Sequence, residues 1–249
     1  MNFFKHRFQS FVFGFKLPIE ASKLIATKKS LMLLSILPIL ATLALYYYAI
    51  GGLQLYLQQY FRDLILGMGW SPDGWLSWTI GIVLQLVLLI VAALSFAFSS
   101  SIIASPFNDF LAERTEKHST LLPADSGNLG NQIKLILIDL GKAVAAGTIG
   151  ILAILLSWVP ILNLFVFVLT FLLITFQYIS YPQTRRGIRF WPSARFLWRH
   201  LYACTGFGFI ITLMFAVPFL SSFFLPLAVV GGTLLFARAE DSTAEFPLC

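Results

Sequence analysis

Two adjacent lysines stand directly before the first long apolar run of the chain. Lys28 and Lys29 follow Thr27 and precede Ser30, and residues 30–61 contain no Asp, Glu, Lys or Arg. A helix that starts there has free N–H groups and the positive end of its dipole at the same place. Two cations, two hydroxyls and these amides suit a tetrahedral oxyanion. We therefore predict that Thr27, Lys28, Lys29 and Ser30 bind an anionic substrate. The alternative, that the lysines only orient a membrane helix, stays open.

A second basic cluster occupies residues 184–200, where five arginines alternate with phenylalanine and tryptophan. The planar fork of arginine matches oxyanions, and tryptophan is typical of the membrane interface. We predict that Arg185, Arg186 and Arg189 contact an anion or a lipid. The alternative is an interfacial helix in which all five arginines hold anionic lipid. A nucleic-acid partner is not expected, because the cluster lies between apolar stretches.

An acidic group precedes the main polar loop of the chain. Asp109, Glu113 and Glu116 follow an apolar run, and Glu113 and Lys117 are spaced to pair on one helical face. A proton-linked carrier needs carboxylates near its path, whereas a structural role would pair them with the arginine cluster. Both interpretations are kept.

Signatures of enzymes and metal sites are missing from the sequence. The three histidines are far apart, neither cysteine belongs to a metal-binding spacing, and no phosphate-cradling glycine loop or nucleophile elbow occurs. We therefore expect a protein that is not an enzyme and that uses no metal or cofactor.

The composition indicates how these residues are positioned. Hydrophobic residues make up 58% of the chain and charged residues only 11%, whereas soluble domains average about 25% charged. Charge-free stretches at 30–61, 74–108, 143–184 and 200–237 are each long enough to enter or cross a bilayer. The chain is therefore predicted to be an all-α integral membrane protein with several passes.

A short internal repeat predicts how the second half is built. The segment WVPILNLF at 158–165 resembles AVPFLSSF at 216–223, and each copy lies in the middle of an apolar stretch. A proline beside a polar residue breaks a helix there, so each stretch should form two arms around a turn. The first arm, 143–158, is short for a crossing. We favour two re-entrant hairpins over four full spans, and both remain open.

These elements form one membrane domain. An interfacial helix is expected at 1–29, two long transmembrane helices at 30–118, a cytoplasmic loop at 119–132, a first hairpin at 133–184, a basic segment with the second hairpin at 185–240, and a tail at 241–249. With the N-terminus in the cytoplasm, every Lys and Arg except Arg62 falls on the cytoplasmic side. The positive-inside rule supports this orientation.

Three segments carry a family resemblance: IIASPFNDFLAERTE at 102–116, QYISYP at 177–182 and VPFLSSFFLPLAVVGGTLLF at 217–236. These segments and their order resemble the CysZ sulfate permease family of bacterial inner membranes. The resemblance implies two long transmembrane helices, two membrane-dipping hairpins, a homo-oligomer, and sulfate uptake for cysteine synthesis. Members of that family carry a glycine-hydrophobic-arginine motif before the first crossing helix. This chain has Ala-Thr-Lys-Lys at 26–29, which keeps the charge but lacks the glycine and the guanidinium.

The expected function is therefore sulfate permeation across the bacterial inner membrane, with sulfate and membrane lipid as partners. Whether permeation would follow a channel or a proton-linked carrier mechanism is left open. The alternative function is a non-transporting membrane scaffold, or a protein that organises lipid.

Overall fold

The computed structural model describes residues 2–67, 74–119, 129–216 and 218–240, and every element within these ranges is an α-helix. The predicted tail and most of the predicted loop lie outside the described residues. The helices are α1 (Asn2–Thr27), α2 (Lys29–Gly67), α3 (Trp75–Glu116), α4 (Leu129–Leu156), α5 (Pro160–Arg185), α6 (Phe190–Arg199), α7 (Leu201–Phe215) and α8 (Pro218–Glu240).

The two longest helices pack against each other early in the chain. α2 has 39 residues and α3 has 42, which at about 1.5 Å per residue exceeds the roughly 30 Å of a hydrocarbon core. α2 continues to Gly67, past residue 61 where its charge-free stretch ends. α3 likewise runs without a break from its apolar part into the charged segment that ends at Glu116.

Both helix breaks predicted at the repeated proline motif are present. α4 ends at Leu156 and α5 begins at Pro160, while α7 ends at Phe215 and α8 begins at Pro218. Proline fits the first position of a helix, because the N–H it lacks would have no partner there. Each of the two apolar stretches is therefore a pair of helices, as the repeat predicted.

The first of these pairs is longer than the sequence suggested. α4 has 28 residues, so it extends well upstream of the 16-residue arm predicted from the charge-free stretch. The helix includes Lys134, Asp139 and Lys142, so a prediction based on the charge-free stretch gave too short a length for α4. A helix of this length measures about 42 Å.

Three helices in the described ranges are long and apolar enough to cross a membrane: Lys134–Leu156, Pro160–Arg185 and Phe223–Glu240. A fourth span results if the bent pair Arg7–Thr27 and Lys29–Leu45 is counted as one. Length and composition thus indicate a multi-pass membrane protein.

α1 packs closely into the bundle against α7 and α8. Leu17 and Ala21 are fully buried. A Cβ atom on Gly14 would lie 2.0 Å from the carbonyl oxygen of Ala203, and one on Gly206 would lie 2.1 Å from that of Phe11. The backbones of α1 and α7 therefore touch at two places, which only glycine permits.

A similar close contact joins α5 to α7. A Cβ atom on Gly208 would lie 2.0 Å from the carbonyl oxygen of Phe171, and the Thr175 hydroxyl donates to the Cys204 carbonyl at 2.7 Å. α8 also packs on α5, where Gly232 faces Tyr178. These contacts pack α5 against α7 and α8, and the C-terminal end of α5 carries Arg185 of the charged network described below.

Candidate functional site

The predicted anion site lies at a sharp corner between α1 and α2. The two helices are bent by 104° at Lys28, which belongs to neither helix. The N–H groups of Leu31 and Met32 both donate to the Lys28 carbonyl at 3.0 Å, and they are the first bonds of the α2 ladder. The N–H groups of Lys29 and Ser30 therefore precede the ladder, as expected at a helix start.

The side chains at this corner face outward. Thr27, Lys28 and Lys29 are exposed and Ser30 is half-buried, while Leu31 behind them is fully buried and anchors the start of α2. The Thr27 hydroxyl donates to the Leu24 carbonyl at 3.0 Å, so it must rotate before it can donate to a ligand. The two lysines and the two leading amides are the groups that the corner offers to an anion.

The acidic group and the first two arginines form a network between α3 and α5. Arg186 Nη1 lies 2.8 Å from Glu116 Oε1, and Arg185 lies 3.3 Å from Glu113 Oε2 and 3.6 Å from Glu116 Oε2. Arg185 also donates to the Asp109 carbonyl at 3.4 Å. Two guanidinium groups thus face two carboxylates at the end of the bundle.

The two carboxylates of this network differ in their surroundings. Glu116 is completely buried, whereas Glu113 is partly exposed and also pairs with Lys117 at 2.8 Å. The hydrogen bond from Lys117, together with Arg185, lowers the pKa of Glu113 below its usual value. Arg186 additionally lies 5.4 Å from the ring centre of Phe236 on α8. The network therefore ties α3, α5 and α8 together.

A polar cavity of about 450 Å³ opens beside this network, between α3, α4 and α5. Its lining includes Asp109, Asp139, Lys142, Gln177 and Tyr181. Asp109 lies beyond the apolar part of α3 and is open to the cavity, yet partial removal from bulk water and the nearby Asp139 raise its pKa to about 6. Arg185 opposes this shift.

Lys142 is the most enclosed cation of this cavity. Only 2% of the residue is exposed, and its ammonium group donates to Thr184 Oγ1 at 3.2 Å. Thr184 in turn donates to Asp139 Oδ1 at 3.4 Å. Neither Asp139 nor Lys142 is among the site residues predicted from the sequence. The available signal was an acid and a base one turn apart in a mostly apolar helix, which is energetically costly in a membrane unless the two interact.

Arg189 lies apart from the other predicted site residues. It precedes α6, is exposed, and lines a different cavity together with Lys134 and Lys142. The structure thus brings Arg185 and Arg186 together with the acidic group, and it leaves Arg189 and the corner at Lys28 outside that network.

Comparison with known proteins identifies the family. The profile of the family described as "Sulfate transporter CysZ/Etoposide-induced protein 2.4" matches residues 17–226, which is most of the chain. The chain belongs to this family. The matched region includes the corner at Lys28, the network of α3 and α5, and the polar cavity.

The matches to individual relatives extend over most of both chains. A protein named Sulfate transporter CysZ from Pseudomonas aeruginosa (strain LESB58) is 29% identical over 244 residues, which cover 90% of this chain and 94% of the relative. The protein of that name from Pectobacterium atrosepticum is 30% identical over 226 residues, covering 85% and 80%. That from Vibrio cholerae (strain O395) is 28% identical over 227 residues, covering 86% and 88%.

Proposed function

We propose that this chain is a sulfate permease of a bacterial inner membrane, where it takes up sulfate for cysteine synthesis. Membership of the family and full-length relatives named as sulfate transporters support the transport function. The corner at Lys28 is the observation that carries the substrate class. It presents two exposed ammonium groups and two leading amides at one helix start, which is the chemistry that a tetrahedral dianion requires.

The corner at Lys28 binds sulfate at the cytoplasmic mouth of the permease in this proposal. Lysine supplies a compact charge and not a fork, so the helix amides must provide the directional hydrogen bonds. The network of Arg185, Arg186, Glu113 and Glu116 is balanced in charge, and its role is to hold α3 against α5. The polar cavity beside it, with Lys142 at its wall, provides hydrated space on the permeation path.

The arrangement in the membrane follows the positive-inside rule. α2 and α3 cross the bilayer, the pairs α4/α5 and α7/α8 enter and return to the cytoplasmic side, and the N-terminus is cytoplasmic. Helices α4 and α5 carry apolar residues over most of their outer surface, which suits contact with lipid or with further copies of the chain. We propose that a homo-oligomer completes the path.

Flux of radiolabelled sulfate into proteoliposomes tests this function. The wild-type protein should carry sulfate faster than empty vesicles do. Replacing both lysines of the corner (Lys28→Ala with Lys29→Ala) should raise the half-saturating sulfate concentration by at least about tenfold, because a charge-assisted hydrogen bond contributes roughly 1.5–3 kcal/mol. Lys16→Ala with Arg195→Ala is the matched control, because both residues are exposed cations outside the corner.

The outcomes separate the permease from the alternative of a lipid-organising scaffold. Absence of flux above that of empty vesicles would reject the permease. Equal loss of flux in both double variants would reject the corner as the sulfate site and leave general charge as the cause. A scaffold would instead be stabilised against heat by anionic lipid and not by sulfate.

A further inference from the structure

Two cavities lie side by side where α6 meets α4 and α5. The first has a volume of about 220 Å³, and its lining is apolar: it includes Ile149, Leu169, Phe176 and Leu197. The second has a volume of about 450 Å³ and is lined by Lys134, Lys142, Arg189 and a few apolar side chains. Phe190 and Trp191 belong to both linings, so the two cavities adjoin each other at these rings.

Two of the three cations that line the basic cavity are not balanced by a described acidic residue, whereas Lys142 is linked to Asp139 through Thr184. Lys134 and Arg189 are exposed, and within the described ranges neither forms an ion pair. Among the described residues, the lining of either cavity includes no Asp or Glu. This differs from Arg185 and Arg186, whose charges are balanced by Glu113 and Glu116. A basic cavity of this kind attracts an anion, and it is joined to an apolar one.

We propose that the joined cavities bind one anionic phospholipid. The phosphate lies between Lys134 and Arg189, and one acyl chain enters the apolar cavity between α4, α5 and α6. A free phosphate ion would use only the basic half of this site, whereas a phospholipid matches the charge of one half and the apolar lining of the other.

The surroundings of the site agree with a lipid ligand. Trp191 and Trp198 on α6 are exposed, as is usual for tryptophan at the level of lipid headgroups. The outer face of α4 next to the site carries the exposed apolar residues Leu137, Leu140 and Val144. A chain of phospholipid can therefore pass from the surrounding bilayer into the cavity without leaving apolar surroundings. The site is independent of the sulfate site at the corner.

Lipid retention by the purified protein tests the proposal. The full chain in a neutral detergent is mixed with dioleoyl phosphatidylglycerol, dioleoyl phosphatidylcholine or inorganic phosphate, and bound lipid is counted by native mass spectrometry. Phosphatidylglycerol should be retained in preference to phosphatidylcholine. Lys134→Gln with Arg189→Gln should weaken that retention about thirtyfold, because a basic residue at an anionic membrane surface contributes about 1 kcal/mol and about 1.4 kcal/mol is tenfold.

Two further variants make the result specific. Arg195→Gln with Arg199→Gln removes the same charge from exposed positions of α6 that line neither cavity, and it should leave retention within about threefold of wild type. Ala194→Phe fills the apolar cavity without changing charge, and it should weaken binding of the dioleoyl lipid. Thermal unfolding of each variant without lipid shows whether it is folded.

Three results would overturn the proposal. Equal retention of the two lipids by the wild-type protein would show that the charge of the headgroup is not recognised. Equal weakening by the two arginine-containing double variants would show general attraction and no defined site. Inorganic phosphate that displaces phosphatidylglycerol at millimolar concentration would show that the site is an ion site without an acyl-chain component.

Discussion

The buried carboxylate of Glu116 should be the most costly single charge to remove from this protein. Glu116 is fully buried and serves both arginines of the α3–α5 network, with Arg186 at 2.8 Å and Arg185 at 3.6 Å. Glu116→Gln keeps the size of the side chain but leaves two guanidinium groups facing one carboxylate. Removing one partner of a buried pair costs about 3–5 kcal/mol, because the remaining charge is desolvated without compensation.

Glu113 supplies the matched control on the same helix. Its carboxylate is partly exposed and is shared between Lys117 and Arg185, so Glu113→Gln should cost about 1 kcal/mol or less. Both substitutions remove one negative charge and keep an amide of equal size. The difference between them therefore measures burial and not net charge.

Thermal unfolding of the detergent-solubilised protein is the assay. At roughly 2–4 °C per kcal/mol for a chain of this size, Glu116→Gln should lower Tm by at least about 6 °C and Glu113→Gln by no more than about 4 °C. Glu116→Gln combined with Arg186→Gln should recover part of the loss, because the unpaired cation is removed as well. Equal destabilisation by the two single variants, or an additive double variant, would refute the assignment of a buried, coupled pair.

Two further predictions concern packing and protonation. Gly206→Ala should lower Tm and the yield of folded protein, since its Cβ atom would meet the Phe11 carbonyl. Gly150→Ala is the control: this glycine has open space around it, so the substitution should be neutral or slightly stabilising. Equal effects of the two substitutions would contradict the close contact at Gly206. The pKa of Asp109 is raised to about 6 in the folded protein, so the folded state holds this proton more tightly than the unfolded state. The stability that Asp109 contributes is therefore present at low pH and is lost as the pH rises from about 4 to about 6. The gain in Tm from Asp109→Asn should grow over that interval and stay constant above it, and a gain independent of pH would disprove the raised pKa.

Several features of the fold could be predicted because they depend on local composition. The scarcity of charge and the length of the apolar stretches indicated a helical membrane protein, since a bilayer core admits helices whose backbone groups are satisfied internally. Pro160 and Pro218 marked two helix starts, because proline fits the first position of a helix, where the N–H that it lacks would have no partner. The length of α4 was underestimated, because the prediction began at the charge-free stretch, whereas the helix also includes Lys134, Asp139 and Lys142.

The candidate site could be predicted only where its residues are neighbours in the sequence. Thr27, Lys28, Lys29 and Ser30 are consecutive, so the sequence could group them, and the structure adds the bend and the outward direction of the side chains. Lys142 and Asp139 were passed over, because their partner Thr184 lies on another helix. Lys134 was passed over for the same reason, since Arg189 belongs to a distant part of the chain.

The sequence by itself determined that this protein lies in a membrane and where its apolar stretches divide into helices. Both depend on neighbouring residues, the first through the transfer free energy of apolar stretches and the second through proline geometry. Only the tertiary structure decided which charges are balanced. Arg185 and Arg186 meet carboxylates 72 and 70 residues away, while Arg189, only three residues further along, meets none within the described ranges. Electrostatic pairing depends on distance in space, and the contact between α3 and α5 that brings these charges together joins helices that are far apart in the chain.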